Sequence, residues 1–303
     1  MPEAFLAVDW GTTNLRAWTV DAEGRAGDGS EFPLGVSKLK PGEAEQRLRD
    51  EVRPALKAER LPALMAGMIG STLGWVEAPY VDCPADAASL ARALVTVPGA
   101  DPPVRIVPGL RCRRLDGAPD VMRGEETQIL GWAAADPARL TGEHVICHPG
   151  THPKWALLRE GRIERFVTLM SGELFDLLSH HGVLKSEDGP DDDEAFDAGL
   201  EAAGEGDALA ARLFTVRSRV VGGDMPKTAA RSYLSGLLIG ADVAAGPGLL
   251  GVEGGSTVAL LGDGRLCGLY QRALRRRGMG TSIHSGEDAV LAGLKALNQA
   301  ERS

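Results

Sequence analysis

Two short apolar runs open the chain. Phe5, Leu6 and Val8 form the first and Leu15, Trp18 and Val20 the second, with Gly11-Thr12-Thr13 between them. Runs of this length bounded by turn residues predict strand, turn, strand, then a turn at Asp21-Ala22-Glu23-Gly24 and a third strand. The period then changes. Over 42–60, Leu48, Val52 and Leu56 fall at helical spacing among charges, which predicts a helix with one buried face. The apolar run 62–69 predicts a buried strand ending at Gly70-Ser71. A short helix is expected over 86–95, a strand over 104–110 closed by Pro-Gly, and a turn leading into a helix over 120–136, with Ile129, Leu130 and Ala133 on one side.

The opening pattern returns at 144–169, again as strand, Gly-Thr turn, strand, Glu-Gly turn, strand. Gly150-Thr151 matches Gly11-Thr12, and the next turn glycines, Gly24 and Gly161, lie 13 and 11 residues further on. This predicts an internal duplication, each copy opening one lobe. Helices follow near 171–181 and 195–217, and from Pro226 to about 244, where Gly236 and Gly240 permit close packing. The run 257–262 predicts a buried strand and leads to a helix through Arg277. Ser285 with Asp288 three residues later starts the last helix, whose Val290, Leu294 and Leu297 point inward.

Composition narrows the function. The chain has 39 glycines in 303 residues, roughly twice the usual ~7%, as expected of many tight turns or close backbone approaches. Net charge is −9, and the one basic block, Arg275-Arg276-Arg277, reads as a solvated helix face. Nucleic acid is therefore disfavoured, whereas a locally positive cleft can still take an anionic substrate. Cys83, Cys112, Cys147 and Cys267 have no metal or redox spacing. Met1-Pro2-Glu3-Ala4 does not open a signal peptide, and 233–252 is broken by Asp242, Pro247 and glycines. The expectation is a cytoplasmic protein with no membrane partner.

Four segments can carry chemistry. In the first, Asp9 ends a strand before Gly11, Thr12, Thr13 and Asn14, with Arg16 beyond. Glycine lets the backbone approach a phosphate, the amides and hydroxyls donate to it, and Asp9 is placed to hold magnesium through water. In the second, Gly150, Thr151, His152 and Lys154 can hold the far end of a triphosphate. The carboxylate position of the first loop is here taken by His148 or Pro149. His144, His148 and His152 have the spacing of a metal-binding helix face, but Pro149, Gly150 and Pro153 forbid a regular helix. In the third, Glu125 and Glu126 at the head of a helix offer a carboxylate to an attacking hydroxyl or simply suit the helix dipole. In the fourth, Gly262, Asp263 and Gly264 form a strand-to-helix turn on which an adenosine can lie. Residues 222–228 lack the glycine before lysine that a Walker loop needs, and the acidic run 187–194 misplaces the glycine and glutamate of a calcium loop, so it reads as solvated.

The order of these pieces resembles the actin, hexokinase and heat-shock ATPase superfamily, with its phosphate-1, connect-1, phosphate-2, adenosine and connect-2 motifs. Gly67-Met68-Ile69-Gly70-Ser71, Gly74 to Tyr80, Val121 to Gln128, Pro149 to Trp155, Ser171 to Phe175 and Ser235 to Gly240 together resemble the 2-dehydro-3-deoxygalactonokinase family. That resemblance implies an α/β, two-lobed actin-like ATPase (ribonuclease H-like) fold, with a mixed five-stranded sheet in each lobe and a cleft between lobes. Residues 1–137 completed by 286–303 would form one lobe and 138–285 the other. It implies ATP and magnesium, and phosphorylation of 2-dehydro-3-deoxy-D-galactonate at the 6-hydroxyl. The competing readings are another sugar acid such as 2-dehydro-3-deoxygluconate, or a nucleotide-dependent ATPase switch. Asp9, Glu125 and Glu126 would be the catalytic carboxylates. Gly11 to Asn14 and Gly150 to His152 with Lys154 would bind phosphates, and Gly262 to Gly264 the adenosine. Gly70, Ser71, Trp75 and Tyr80 would bind substrate, with Arg16 or Arg123 pairing its carboxylate. A homodimer is compatible with this reading.

Overall fold

The computed structural model describes residues 3–187, 189–204, 208–252 and 256–302. Met1, Pro2, Asp188, Glu205, Gly206, Asp207 and Ser303, on which the readings of the N-terminus, the acidic run, the 195–217 helix and the last helix touch, lie outside the described residues. The chain divides into two compact units. One is Met1–Glu143 with Leu157–Arg165 and Ser285–Ser303, the other His144–Ala156 with Phe166–His284.

The first unit is built on strands β1 (Phe5–Trp10), β2 (Leu15–Val20), β3 (Ser30–Phe32), β4 (Ala63–Gly67), β6 (Val95–Thr96) and β7 (Val104–Ile106), in the order β3-β2-β1-β4-β7-β6. β1 is antiparallel to β2 and parallel to β4. Its apolar residues are buried on both faces, as a central strand requires. Five strands were expected here and six are present. β6 is a two-residue edge strand antiparallel to β7, too short to leave a periodic signal. β5 (Tyr80–Asp82), β8 (Gly109–Arg113) and β9 (Pro119–Met122) form a separate three-stranded sheet. The predicted 42–60 helix is α1 (Glu43–Arg47) and α2 (Arg53–Ala55) joined by a π-helical turn at Leu48–Val52, with Leu48 and Val52 buried as expected. Asp86 caps α3 (Ala87–Arg92) by accepting from the Ser89 amide. α4 (Glu125–Ala134) carries the paired glutamates.

The second sheet has β10 (Glu143–His148), β11 (Lys154–Arg159), β12 (Arg162–Thr168), β13 (Val258–Gly262) and β14 (Thr281–Ser285), in the order β12-β11-β10-β13-β14. With edge strand β6 set aside, both sheets run third, second, first, fourth, fifth. The repeat read from two Gly-Thr turns is thus matched by sheet order. α5 (Ser171–His180) follows β12, and the predicted 195–217 helix is two, α6 (Asp193–Ala203) and α7 (Leu209–Gly222). The helical segment Lys227–Leu250, which contains α8 (Ala230–Leu250), is long and apolar enough to cross a membrane, but it is mostly buried and forms the core helix of this unit. α9 (Gly264–Arg276) follows β13, and α10 (Gly286–Ala300), capped by Ser285, returns to the first unit.

Glycines set the closest helix crossings. A Cβ on Gly199 would lie 2.2 Å from the Tyr233 carbonyl oxygen, and one on Gly236 would lie 2.0 Å from that of Phe196, so α6 and α8 meet backbone to backbone. The acidic run is mostly exposed, as expected of a solvated loop, and its carboxylates also make local contacts. Asp192 caps α6 by accepting from the Ala195 amide, and Asp191 pairs with Arg265 of α9 at 2.5 Å. Arg272 takes Asp193 and Asp197, and Arg276 of the basic block takes Asp197 and Glu201.

Candidate active site: an acidic centre and a nucleotide-sized pocket

In the first unit Asp9 stands near the end of β1, directly across from Arg16 on β2 and Ala66 on β4. It is half-buried where the rest of its strand is buried. Burial raises its pKa to about 6, against the pull of Arg16, and the carboxylates of Glu125 and Glu287 push it further up. Beyond it, the Gly11 amide closes the turn on the Asn14 carbonyl at 2.9 Å. The carbonyls of Gly11, Thr12 and Thr13 accept from the amides of Val36, Ser37 and Gly35. Thr12 and Thr13 are exposed. A Cβ on Gly35 would sit 2.1 Å from the Thr13 carbonyl carbon, so glycine is required behind this loop. The Asn14 side chain donates to Glu31 at 2.5 Å and Arg16 pairs with the same residue at 3.3 Å. Both therefore serve the β2–β3 hairpin as the chain stands.

The proposed substrate residues fall into two groups. Gly70, Tyr80 and Arg123 meet. The Arg123 guanidinium lies 4.5 Å from the Tyr80 ring centre, and its Nη2 donates to the Ala78 carbonyl at 2.7 Å. A Cβ on Gly70 would come within 3.0 Å of Nη1. Arg123 Nε and Nη1 are buried with no hydrogen-bond partner. Ser71 and Trp75, by contrast, shape the loop. The Ser71 hydroxyl donates to the Met68 carbonyl and accepts from the Leu73 amide, while the Trp75 amide donates to the Ile69 carbonyl and its ring packs on the core.

The two glutamates of α4 separate cleanly. Glu125 is half-buried and accepts from the Arg123 amide at 3.1 Å. Glu126 is fully buried, accepting from the Gly124 amide at 2.7 Å and the Thr127 hydroxyl at 3.0 Å. Burial, helped by Glu125, raises the Glu126 pKa to about 8. The Glu126 carboxylate is thus engaged by donors at the head of α4. The folded chain keeps a Glu126 proton that the unfolded chain has lost above pH ~4.5, so this group's stabilisation falls as pH rises from there toward 8. Glu126→Gln should lose that slope. Urea midpoints at pH 5 and 8 should show the stability difference moving in the variant's favour by roughly 2–4 kcal/mol. Parallel curves for the two proteins would place the proton elsewhere.

In the second unit a cavity of about 380 Å³ is lined by Gly150, Thr151, Gly172, Asp263 and Arg265, with apolar walls including Leu238 and Ile239. It brings residues of the Gly150-Thr151 turn and of the turn at Gly262 to Gly264 to one pocket. At Gly150 and Gly264 no atom lies within 4 Å of where a Cβ would stand, leaving room over the backbone, and Asp263 caps α9 by accepting from the Leu266 amide. Gly172 backs the loop as Gly35 backs the first one. Its Cβ would lie 2.2 Å from the Gly150 carbonyl oxygen. His152 is held by Glu173 at 2.6 Å, and the buried Lys154 donates to the His152 carbonyl at 2.9 Å. Both thus brace the loop from its flank. Strand register resolves which residue replaces the first loop's acid. Trp10 pairs with Gly67, whose Cβ would lie 2.7 Å from the Trp10 oxygen. Continuing from Cys147 opposite Leu260, Pro149 meets Gly262, whose Cβ would lie 3.5 Å from the Pro149 oxygen. The counterpart of Asp9 is therefore His148. Among the described residues no three His, Cys, Asp or Glu side chains form a metal cluster.

A family model for 2-keto-3-deoxy-galactonokinase matches residues 9–297. The chain belongs to the 2-keto-3-deoxy-galactonokinase family. A relative in Rhizobium meliloti (strain 1021), described as "Probable 2-dehydro-3-deoxygalactonokinase DgoK1", is 36% identical over 302 residues, 98% of this chain and 97% of the relative. The 2-dehydro-3-deoxygalactonokinase of Escherichia coli (strain K12) is 35% identical over 302 residues, 99% of each. The crystal structure of a Sinorhizobium meliloti protein assigned the same activity superposes with a TM-score of 0.86 at 36% identity, over 98% of both chains. Component A of the Acidaminococcus fermentans (R)-2-hydroxyglutaryl-CoA dehydratase, only 9% identical, superposes with a TM-score of 0.53 over 99% of this chain and 100% of the other. That likeness speaks to the fold alone, which is the actin-like ATPase fold.

Several features of the site in this family member carry no local signal in the sequence. Glu287, in the first turn of α10, acts on Asp9 from a distant part of the chain. Gly35 has no motif around it. Gly67 takes φ +93°, ψ −156° beside Asp9, a conformation essentially confined to glycine. The solvated acidic run also contributes Asp191, Asp192 and Asp193 to the pocket wall.

Proposed function

We propose that this chain transfers the γ-phosphoryl group of ATP to the 6-hydroxyl of 2-dehydro-3-deoxy-D-galactonate, yielding the 6-phosphate and ADP. The observation that carries this reading is the family match over residues 9–297, which takes in both the Asp9 centre and the pocket. The second unit's role is the nucleotide. Gly150 and Thr151 offer donors to phosphates, and the turn at Gly262 to Gly264 borders the adenosine. The first unit's role is the acceptor and the charge. Its donor set suits magnesium, since a single carboxylate with waters and phosphate oxygens is a usual way to hold that ion. Asp9 would hold it, and the ion would neutralise developing phosphate charge. Glu125 is the carboxylate suited to accept the proton of the attacking hydroxyl. Thr12 and Thr13 are the first unit's phosphate donors.

Arg123 pairs the substrate carboxylate in this reading, because its two unpartnered buried nitrogens leave a cation whose hydrogen bonds are incomplete. Arg123→Met should raise KM for the sugar acid by at least about tenfold while leaving KM for ATP near its original value. Unchanged sugar-acid KM would remove Arg123 from that role. The activity itself is tested by supplying the purified chain with ATP, magnesium and a set of 2-dehydro-3-deoxy sugar acids. Turnover should depend on the acceptor and favour the galactonate epimer. ATP hydrolysis indifferent to every sugar acid would overturn the proposal.

A further inference from the structure

The pocket of the second unit rests on a buried carboxylate that takes no part in the reaction proposed above. Asp242, in the middle of α8, is 5% exposed. Its Oδ2 accepts from the Ser171 hydroxyl at 2.5 Å and from the Tyr270 hydroxyl at 2.5 Å. The two hydroxyls lie 3.4 Å apart, so all three groups form one closed cluster. Ser171 begins α5 and Tyr270 lies on α9, and both line the 380 Å³ cavity. Directly after Ser171 comes Gly172, the residue seated against the Gly150–Thr151 backbone. α9 is the helix that starts at the adenosine turn, with Asp263 as its cap.

We propose that Asp242 is a positioning residue for nucleotide binding: by holding Ser171 and Tyr270 together it fixes the phosphate-loop wall and the adenosine wall of the pocket at one separation. The inference rests on the reading of this cavity as the nucleotide site. The physical case is that a charge-assisted hydrogen bond from a buried hydroxyl is about twice as strong as a neutral one, and that two such bonds to one oxygen leave little freedom between the helices they join. A half-satisfied buried carboxylate is costly, so loss of either hydroxyl loosens the remaining contact as well.

The cluster also makes nucleotide affinity depend on pH. Burial raises the Asp242 pKa to about 6, opposed by the two hydroxyl donors. The groups that face it are Ser171 from α5, Tyr270 from α9 and Cys147 from β10, with Cys267 of α9 next to Cys147. Tyr270 and Cys147 are pushed well above their ordinary values and the Cys267 thiol up to about 11. Within this cluster, then, only Asp242 changes charge between pH 5 and 8. Its acceptor form prevails above pH 6 and is lost below.

The test is binding of a non-hydrolysable ATP analogue to the full chain without magnesium, which keeps the metal carboxylate out of the measurement. Asp242→Asn should weaken binding roughly tenfold at pH 8, the scale of one charge-assisted hydrogen bond. The ratio of variant to parent Kd should fall toward one at pH 5, where the parent carboxyl is itself protonated. Taking a ratio cancels titration of the analogue and of the rest of the site. Ser171→Ala and Tyr270→Phe, each removing a single donor, should weaken binding in the same pH-dependent way and serve if Asp242→Asn does not fold. A parent that fails to bind the analogue refutes the nucleotide reading of the cavity. A parent that binds, with variants of equal affinity or a ratio flat in pH, refutes the role of Asp242 alone.

Discussion

Replacing Asp9 by Asn should abolish turnover while leaving the protein as stable as before, or more so. The loss expected is about 10³-fold or greater in kcat, the scale of several kcal/mol of charge stabilisation removed from the transition state. The fold should tolerate the change because Asp9 ionises against its surroundings. Its pKa is raised to about 6 by burial and by Glu125 and Glu287. A carboxyl raised in the folded state adds stability only while it stays protonated, and loses that contribution as pH rises from ~4 through 6. At pH 8 the asparagine variant is spared the cost of a buried negative charge among other carboxylates. The parent's kcat/KM should accordingly rise through about pH 6, as the Asp9 carboxylate forms. Magnesium dependence provides a second readout, since the variant should need far more of the ion for any residual rate. A variant turning over within tenfold of the parent would mean that the ion is held elsewhere and that Asp9 has only a structural place at the end of β1.

The parts of this site legible in the sequence are those carried by short, local signals. Asp9, the threonine turn, Gly150-Thr151 and the turn at Gly262 to Gly264 each sit where a strand ends and a helix or hairpin begins, and a strand end is visible in local hydrophobic periodicity. The duplication was legible for the same reason, because each copy opens on a buried strand and a Gly-Thr turn. What stayed hidden is what folding assembles from afar. Glu287 comes to Asp9 only because α10 packs back onto the first unit, and nothing near it in sequence distinguishes it from any first-turn acid that suits the helix dipole. Gly35 and Gly172 are needed because another segment's backbone passes about 2 Å from where their Cβ would be, a fact about packing. The sheet β5-β8-β9 was missed since its strands are short and half-exposed, with Arg111, Arg113 and Asp120 breaking the apolar pattern. Glu126 shows the opposite failure. Two adjacent glutamates look equivalent in a sequence, and only folding separates the enclosed Glu126 from the half-buried Glu125.

The second large effect is expected at a residue with no polar chemistry. Gly293, in α10, faces α4 where the two helices cross. A Cβ there would lie 2.0 Å from the Thr127 carbonyl oxygen and 2.9 Å from its carbonyl carbon, and a Cβ on Gly131 of α4 would lie 1.9 Å from the Ala289 carbonyl oxygen. Both obstacles are backbone, which cannot swing aside as a long side chain does. Gly293→Ala must therefore separate the helices, and overpacking of this kind should cost about 3 kcal/mol or more. α4 carries Glu125 at its start and α10 carries Glu287, and both act on Asp9, so the folded fraction that survives should also turn over poorly. The control is Gly268→Ala in α9, where a Cβ meets no atom within 4 Å. Alanine's helix preference makes that change neutral or stabilising by up to about 1 kcal/mol. Urea unfolding of the two variants against the parent should thus move in opposite directions or differ by several kcal/mol. If Gly293→Ala unfolds at the parent's midpoint with kcat intact, the helices are not in backbone contact at this crossing, and the geometry around Asp9 does not depend on it.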